Sequence, residues 1–171
     1  VVQQLKEENL KAVVAPELEF YLCEQNLDPD LPLKTPVGKS GRRETGSQVF
    51  GIDAVNEFDA LTDDIYDYCE LMNIGVDTLV HESGPSQIEI NLNHGDPLSL
   101  ADQAFMFKRA VRQVALKHGI HATFMAKPYQ GQPGSSMHIH QNLVSLKSNK
   151  NLFSDHEGNN TKHFHNFIGG L

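Results

Sequence analysis

The sequence predicts a mixed α/β (α+β) fold built on a curved, mainly antiparallel sheet with flanking helices. Three segments that alternate in polarity and two long runs of helical periodicity carry that prediction. In Pro16-Glu17-Leu18-Glu19-Phe20 the carboxylates fall on one face of an extended strand and Leu18 and Phe20 on the other. Ser86-Gln87-Ile88-Glu89-Ile90-Asn91 sets Gln87, Glu89 and Asn91 against Ile88 and Ile90. Ser136-Met137-His138-Ile139-His140 sets two imidazoles against Met137 and Ile139. Three such strands, each with acids or imidazoles on its polar side, imply a sheet whose concave surface binds divalent cations.

Taken in order, residues 2–11 read as the last turns of a helix leading into a strand over 12–22. Residues 25–47 are rich in Pro, Gly, Asp, Lys and Arg and carry no periodicity, so they form a long loop, locally basic through Lys34, Lys39, Arg42 and Arg43. A strand-like segment follows at 48–52. Asp53 or Asn56 caps a helix running to about Asn73, with Phe58, Leu61, Ile65, Tyr68, Cys69 and Met72 as its apolar stripe and Gly75 closing it. Strands 76–81 and 86–93 flank Ser83-Gly84-Pro85 as an antiparallel hairpin. Pro97 opens the longest helix, about 97–118, whose buried stripe is Leu100, Ala104, Phe107, Val111, Val114 and Ala115, with Gly119 ending it. Strand 121–127, a Gly/Pro loop at 128–135 and strand 136–144 form a second hairpin. Residues 145–160 are a polar loop, and a final helix starts near Thr161.

At 171 residues the chain is long enough for one domain with a core, and its 39 % hydrophobic and 21 % charged residues are ordinary for a globular protein. No apolar run approaches the ~20 residues that span a bilayer, so no membrane partner is expected, and the polar first residues are no signal peptide. The sequence begins at Val1, not at a methionine, and the last helix is cut short at Leu171, so the expectation is a piece of a longer polypeptide. Fourteen basic against twenty-two acidic side chains give a net charge of −8, which argues against a nucleic acid partner. Cys23 and Cys69 lie far apart without Cys-x-x-Cys spacing and read as reduced, partly buried thiols of a cytoplasmic protein.

Carboxylate oxygens suit hard cations such as Mg²⁺ and Mn²⁺, and imidazole is accepted mainly by Mn²⁺ or Zn²⁺. Acids and imidazoles on neighbouring strands could hold two ions, an arrangement that suits phosphoryl transfer by neutralising phosphate charge. A His-x-His strand between glycine turns also occurs in cupin-like barrels, but these need a Glu soon after the second His, and residues 141–151 contain none.

Five segments in order resemble the glutamine synthetase family, and most closely its γ-glutamylpolyamine synthetase branch. They are Ala15-Pro16-Glu17-Leu18-Glu19-Phe20-Tyr21-Leu22, His81 through Asn91, Leu100-Ala101-Asp102-Gln103, Ala122 through Pro128, and Gly134 through Gln141. Residues 40–46 and Asn56-Glu57-Phe58 favour the polyamine branch. The resemblance implies a ligase: ATP phosphorylates the γ-carboxylate of glutamate, and ammonia or an amine displaces phosphate from the γ-glutamyl phosphate. By position, Glu19, Glu82 and Glu89 would hold the Mg²⁺ or Mn²⁺ nearer glutamate, and Glu17 and His138 the ion bridging the ATP phosphates. His140 would contact those phosphates, and Asn142, Asp77 and His94 fall where family members approach the nucleotide. Gly134 and Glu19 would face substrate glutamate, and Glu82 would help form the site for the nitrogen nucleophile.

The sequence also departs from the family pattern. Its loop reads Pro133-Gly134-Ser135-Ser136 where Asn-Gly-Ser-Gly is usual, so Pro133 cannot supply an amide side chain to glutamate. Asn142 replaces a Ser that lies close to adenine, and Phe50 stands near a common Tyr. The phosphate-binding arginines and the third carboxylate of the ATP-side ion belong to a later segment than Leu171. Residues 1–171 are therefore expected to be part of a catalytic domain, inactive in isolation, from a parent that assembles as a homo-oligomeric double ring. The alternative is a non-catalytic relative of the same fold with a structural or interaction role.

Overall fold

The computed structural model describes residues 1–171. The chain divides into two compact units, one formed by 16–93 and 102–138, the other by 1–15, 94–101 and 139–171. Ten elements follow one another: α1 (Val2–Glu7), β1 (Leu10–Glu24), α2 (Ile52–Asn56), α3 (Asp59–Leu71), β2 (Val76–His81), β3 (Gln87–Leu92), α4 (Pro97–Lys117), β4 (Ile120–Thr123), β5 (Met137–Ser145) and α5 (Lys162–Ile168). No helix is long and apolar enough to cross a membrane.

The sheet is antiparallel in the order β2-β3-β1-β4, and β5 also pairs with β1. The register of β1 on β3 sets Leu18 against Ile90 and Phe20 against Ile88, while Glu17 and Glu19 face Asn91 and Glu89. Because alternate residues share a face, this register segregates the sheet into an apolar side and an acidic side. Leu18, Phe20, Leu22, Ile88 and Ile90 are buried, together with Leu61, Ile65 and Cys69 of α3 and Phe107, Val111 and Val114 of α4. The Phe124 ring joins helix to strand: its centroid lies 5.2 Å from that of Phe20 and 6.4 Å from that of Phe107. Each such side chain contributes roughly 1.5–3 kcal/mol by leaving water. That core fixes β1 and β3, and with them the carboxylates on the opposite face.

In the other unit, Val14 and Gly95 exchange backbone hydrogen bonds, and Leu146 N–H donates to the Asn9 carbonyl. Phe153 packs on Phe164 and Phe167 of α5, and the Thr161 hydroxyl caps that helix by accepting from Phe164 N–H.

Three sequence expectations about elements are corrected. Residues 48–52 form no strand: Gly51 N–H donates to the Gln48 carbonyl in a turn, Phe50 has φ 58°, and Val49, Phe50 and Ile52 are exposed. An apolar run without a partner strand cannot satisfy its backbone as a sheet, so it turns into α2. The single helix expected over 53–73 is two, and neither Asp53 nor Asn56 caps them, the N-cap positions being Gly51 and Phe58. Finally, β4 and β5 are not the two arms of a hairpin. Fifteen-residue β1 is long enough to pair with both, and β4 lies against its Tyr21–Glu24 end. Cys23 and Cys69 are buried free thiols, and burial pushes the Cys69 thiol up to about 11.

Candidate metal centre

The acidic side of the sheet assembles a set of ligand atoms within the larger unit. Glu17 and Glu19 stand two apart on β1, Glu89 comes from β3, and His138 from the start of β5. One ligand atom each from Glu17, Glu89 and His138 lie within 4.8 Å of one another. His138 Nδ1 is 3.4 Å from Glu17 Oε2 and 3.8 Å from Glu19 Oε1.

This register carries a cost in stability. Glu19 lies directly across from Glu89, and like charges in that relation repel. The Glu89 carboxyl is held above the usual carboxylate range, first by burial and then by the charges of Glu17, Glu82 and Glu19, against a hydrogen bond with Asn91 that acts the other way. A divalent cation would turn that repulsion into attraction. The donors fit one: carboxylate oxygens suit Mg²⁺ or Mn²⁺, and the imidazole favours Mn²⁺. Asn91 Oδ1, on the same face of β3 as Glu89, is buried without a hydrogen-bond donor.

Glu19 is held by two hydrogen bonds. Its Oε2 accepts from Gln87 Nε2 at 2.9 Å and from Ser136 N–H at 3.1 Å, which leaves Oε1 on the side of His138. Gln87 itself is fully buried. Its Nε2 also donates to the Gly134 carbonyl at 3.0 Å, and its Oε1 accepts from Gly84 N–H at 2.9 Å. One amide thus couples a carboxylate, the 133–136 loop and the β2–β3 turn.

The Tyr21 hydroxyl adds a second tie by donating to the Pro133 carbonyl at 2.8 Å. Burial, then the charges of Glu19 and Glu82, push its pKa up to about 12, so it remains a donor at neutral pH. Gly84 lies so close to this hydroxyl that a Cβ there would collide with it. At Gly134 a Cβ would sit 2.8 Å from the Ala126 carbonyl oxygen, so the packing of the loop itself requires glycine.

Glu82 follows β2 and accepts from Ser83 N–H at 3.2 Å. Its charge acts on both Glu89 and Tyr21, which places it beside the acidic face. The gathering of Glu17, Glu89 and His138 cuts across the expected division, in which Glu89 sides with Glu19 and Glu82. Asp77 is exposed on β2, where the pairing with β3 is irregular. His140 and Asn142 lie farther along β5, in the other unit, as does His94. There Asn142 Oδ1 accepts from Asn151 Nδ2 at 2.9 Å. Sequence reasoning placed Gln87 on the polar face but gave it no role; strand alternation was the only signal it offered. Tyr21 and Glu44 fell inside segments that carry the resemblance but were given no role, because nothing in their local pattern marks one.

Comparison with known proteins gives this geometry a context. The family model described as "Glutamine synthetase, catalytic domain" matches residues 1–171. Gamma-glutamylputrescine synthetase PuuA of Escherichia coli (strain K12) is 42 % identical over 99 % of the chain and 36 % of its own length. Glutamine synthetase of Pyrococcus abyssi is 34 % identical over 100 % of the chain and 36 % of its own length. The chain therefore spans little more than a third of these relatives. Among solved structures, one described as "GmaS/ADP complex-Conformation 1" superposes with a TM-score of 0.81 at 26 % identity, covering 99 % of this chain and 38 % of that one. A Plasmodium falciparum glutamine synthetase solved by electron cryomicroscopy, 24 % identical, shares the fold with a TM-score of 0.72 over 90 % of this chain and 34 % of its own.

Proposed function

The chain belongs to the glutamine synthetase family, matching the catalytic-domain model over its whole length, and on that premise we propose that it is part of an ATP-dependent carbon–nitrogen ligase. The reaction joins the γ-carboxylate of glutamate to ammonia or an amine through a γ-glutamyl phosphate. The observation that carries this reading is the convergence of Glu17, Glu89 and His138 on the acidic face of the sheet.

Glu17, Glu19, Glu82, Glu89 and His138 are the proposed holders of divalent cations, which when bound would neutralise phosphate charge. Glu19 is fixed by Gln87 and Ser136 through one oxygen, which leaves the other for a cation. The Gly134 carbonyl, held by the same Gln87 amide, defines the edge of the loop proposed to face glutamate. Glu82 offers a carboxylate to a cationic nitrogen or its departing proton. His140, Asn142 and Asp77 are proposed on the nucleotide side. The whole enzyme is proposed to work as a double ring of identical subunits. The higher identity to the putrescine enzyme makes a diamine the first acceptor to try.

Titration calorimetry with Mn²⁺ tests the site. Binding by the chain, lost in Glu17→Ala and Glu89→Ala, is the expected result, and no binding rejects the reading. For the reaction, the whole protein is expected to release phosphate from ATP only with glutamate present, faster with putrescine or ammonia. Silence with every amine would instead favour a non-catalytic role for the fold.

A further inference from the structure

One carboxylate from outside the sheet grips the β2–β3 turn at both ends. Glu44 lies in the long loop between β1 and α2, and its Oε2 lies 2.9 Å from His81 Nε2 and accepts from Ser86 N–H at 2.6 Å. The Ser86 hydroxyl adds a longer contact at 3.5 Å. The side chains are enclosed, His81 being 1 % and Glu44 8 % exposed. The second ring nitrogen, His81 Nδ1, lies 2.7 Å from the Glu82 carbonyl. A carbonyl can only accept, so Nδ1 donates to it and the imidazole is fixed at both nitrogens.

Between these points the backbone turns sharply. Ser86 has φ 58°, a left-handed conformation that residues with a Cβ seldom adopt, and its N–H is one of those that Glu44 takes. The loop bearing Glu44 is anchored in turn. The Thr35 hydroxyl donates to the Glu44 carbonyl at 3.0 Å, and Arg43 pairs with Glu24 at the end of β1. Gln48 Nε2 donates to the other Glu44 oxygen at 3.3 Å.

The residues immediately after the two gripped points are Glu82, after His81, and Gln87, after Ser86. We propose that Glu44 is a positioning residue for the cation centre: by fixing His81 and Ser86 it sets the backbone from which Glu82 and Gln87 project, and through Gln87 the places of Glu19 and Gly134. The inference rests on the cation-binding reading of this face given above. Without the carboxylate, two enclosed donors lose their acceptor, and the turn must shift to find others.

The test is Mn²⁺ affinity of the chain and of Glu44→Ala and Glu44→Gln, measured beside urea unfolding under conditions where each is folded. Positioning partners of ligand residues typically change metal affinity by ~10–100-fold, which is the loss expected for Glu44→Ala. The ¹³C shift of the Glu82 carbonyl should move with it. A role confined to stability would lower the unfolding midpoint and leave the affinity of the folded protein within about two-fold of wild type, and that result overturns the proposal. Should Glu44→Ala fail to fold, Glu44→Gln decides at smaller scale: weakening by about three-fold or more supports the proposal, and less overturns it. Absence of Mn²⁺ binding by the wild type overturns the underlying reading and this inference with it. Binding that is unaffected by Glu44→Ala overturns this inference alone.

Discussion

Glu89 and Asp64 are carboxylates of the same unit in opposite electrostatic settings. Asp64, on α3, accepts from Lys117 Nζ at 2.8 Å and from His118 Nε2 at 2.7 Å, at the C-terminal end of α4. Those bonds hold its carboxyl below the usual range. Glu89 is buried among Glu17, Glu82 and Glu19, and its carboxyl is held above that range. Around Asp64 the chain supplies its own cations, and the pair joins two helices. On the sheet it spends core packing to hold like charges together. Burial without compensation is destabilising unless something else neutralises it. The acidic face therefore gathers like charges, whereas the clasp at Asp64 pairs opposite ones.

The strongest test of that contrast removes Gln87, which is what keeps the acidic face ordered. Gln87→Leu preserves approximate volume but leaves Glu19 Oε2, the Gly134 carbonyl and Gly84 N–H each short of a partner. Leaving such groups unsatisfied costs about 1–3 kcal/mol each, so urea denaturation should show a loss of roughly 3 kcal/mol or more, allowing for partial rescue by water. A loss under about 1 kcal/mol would mean that the carboxylates need no internal scaffold.

Glu89→Gln should produce effects of opposite sign with and without cation. In the absence of metal it removes a charge from a repulsive cluster, and the protein should unfold at higher urea than wild type. With Mn²⁺ at a hundred times its dissociation constant, the wild type should gain about 2.7 kcal/mol, and the variant much less. Urea curves for both proteins, with and without Mn²⁺, measure all four quantities. If Glu89→Gln destabilises the metal-free protein, the repulsion argument fails.

How legible this contrast was in the sequence differed along the chain. The acidic face was readable strand by strand, because a period of two reports directly that Glu17 shares a side with Glu19, and Glu89 with Gln87 and Asn91. The assignment of ligands across strands came from the family resemblance. Long α4 was equally plain, its stripe and its Pro97 agreeing. The 48–52 segment misled because apolar composition does not say whether a partner strand exists. The β4–β5 hairpin was expected from proximity in sequence, whereas the length of β1 lets both strands pair with it. Gln87, Tyr21 and Glu44 act through partners more than 35 residues away, such as Glu44 on His81 and Gln87 on Glu19. Local pattern carries no trace of such contacts.

The smallest effect belongs to the completed clasp. Asp64 has a depressed folded-state pKa, first through its bond with Lys117 and then through that with His118. Its contribution is therefore fully present above the ordinary carboxylate value of 3.8 and is lost as pH falls through the lower, folded value. Asp64→Asn should lower the thermal midpoint slightly at pH 7 in dilute buffer, by less than Gln87→Leu does. The difference should shrink in ~1 M salt, which weakens ion pairs that are open to solvent, as this one is. It should also vanish at a pH low enough to protonate Asp64, since both proteins then present a neutral side chain to Lys117. A difference that survives both salt and acid would mean that Asp64 acts through helix packing, and that the two carboxylates differ in more than their charge partners.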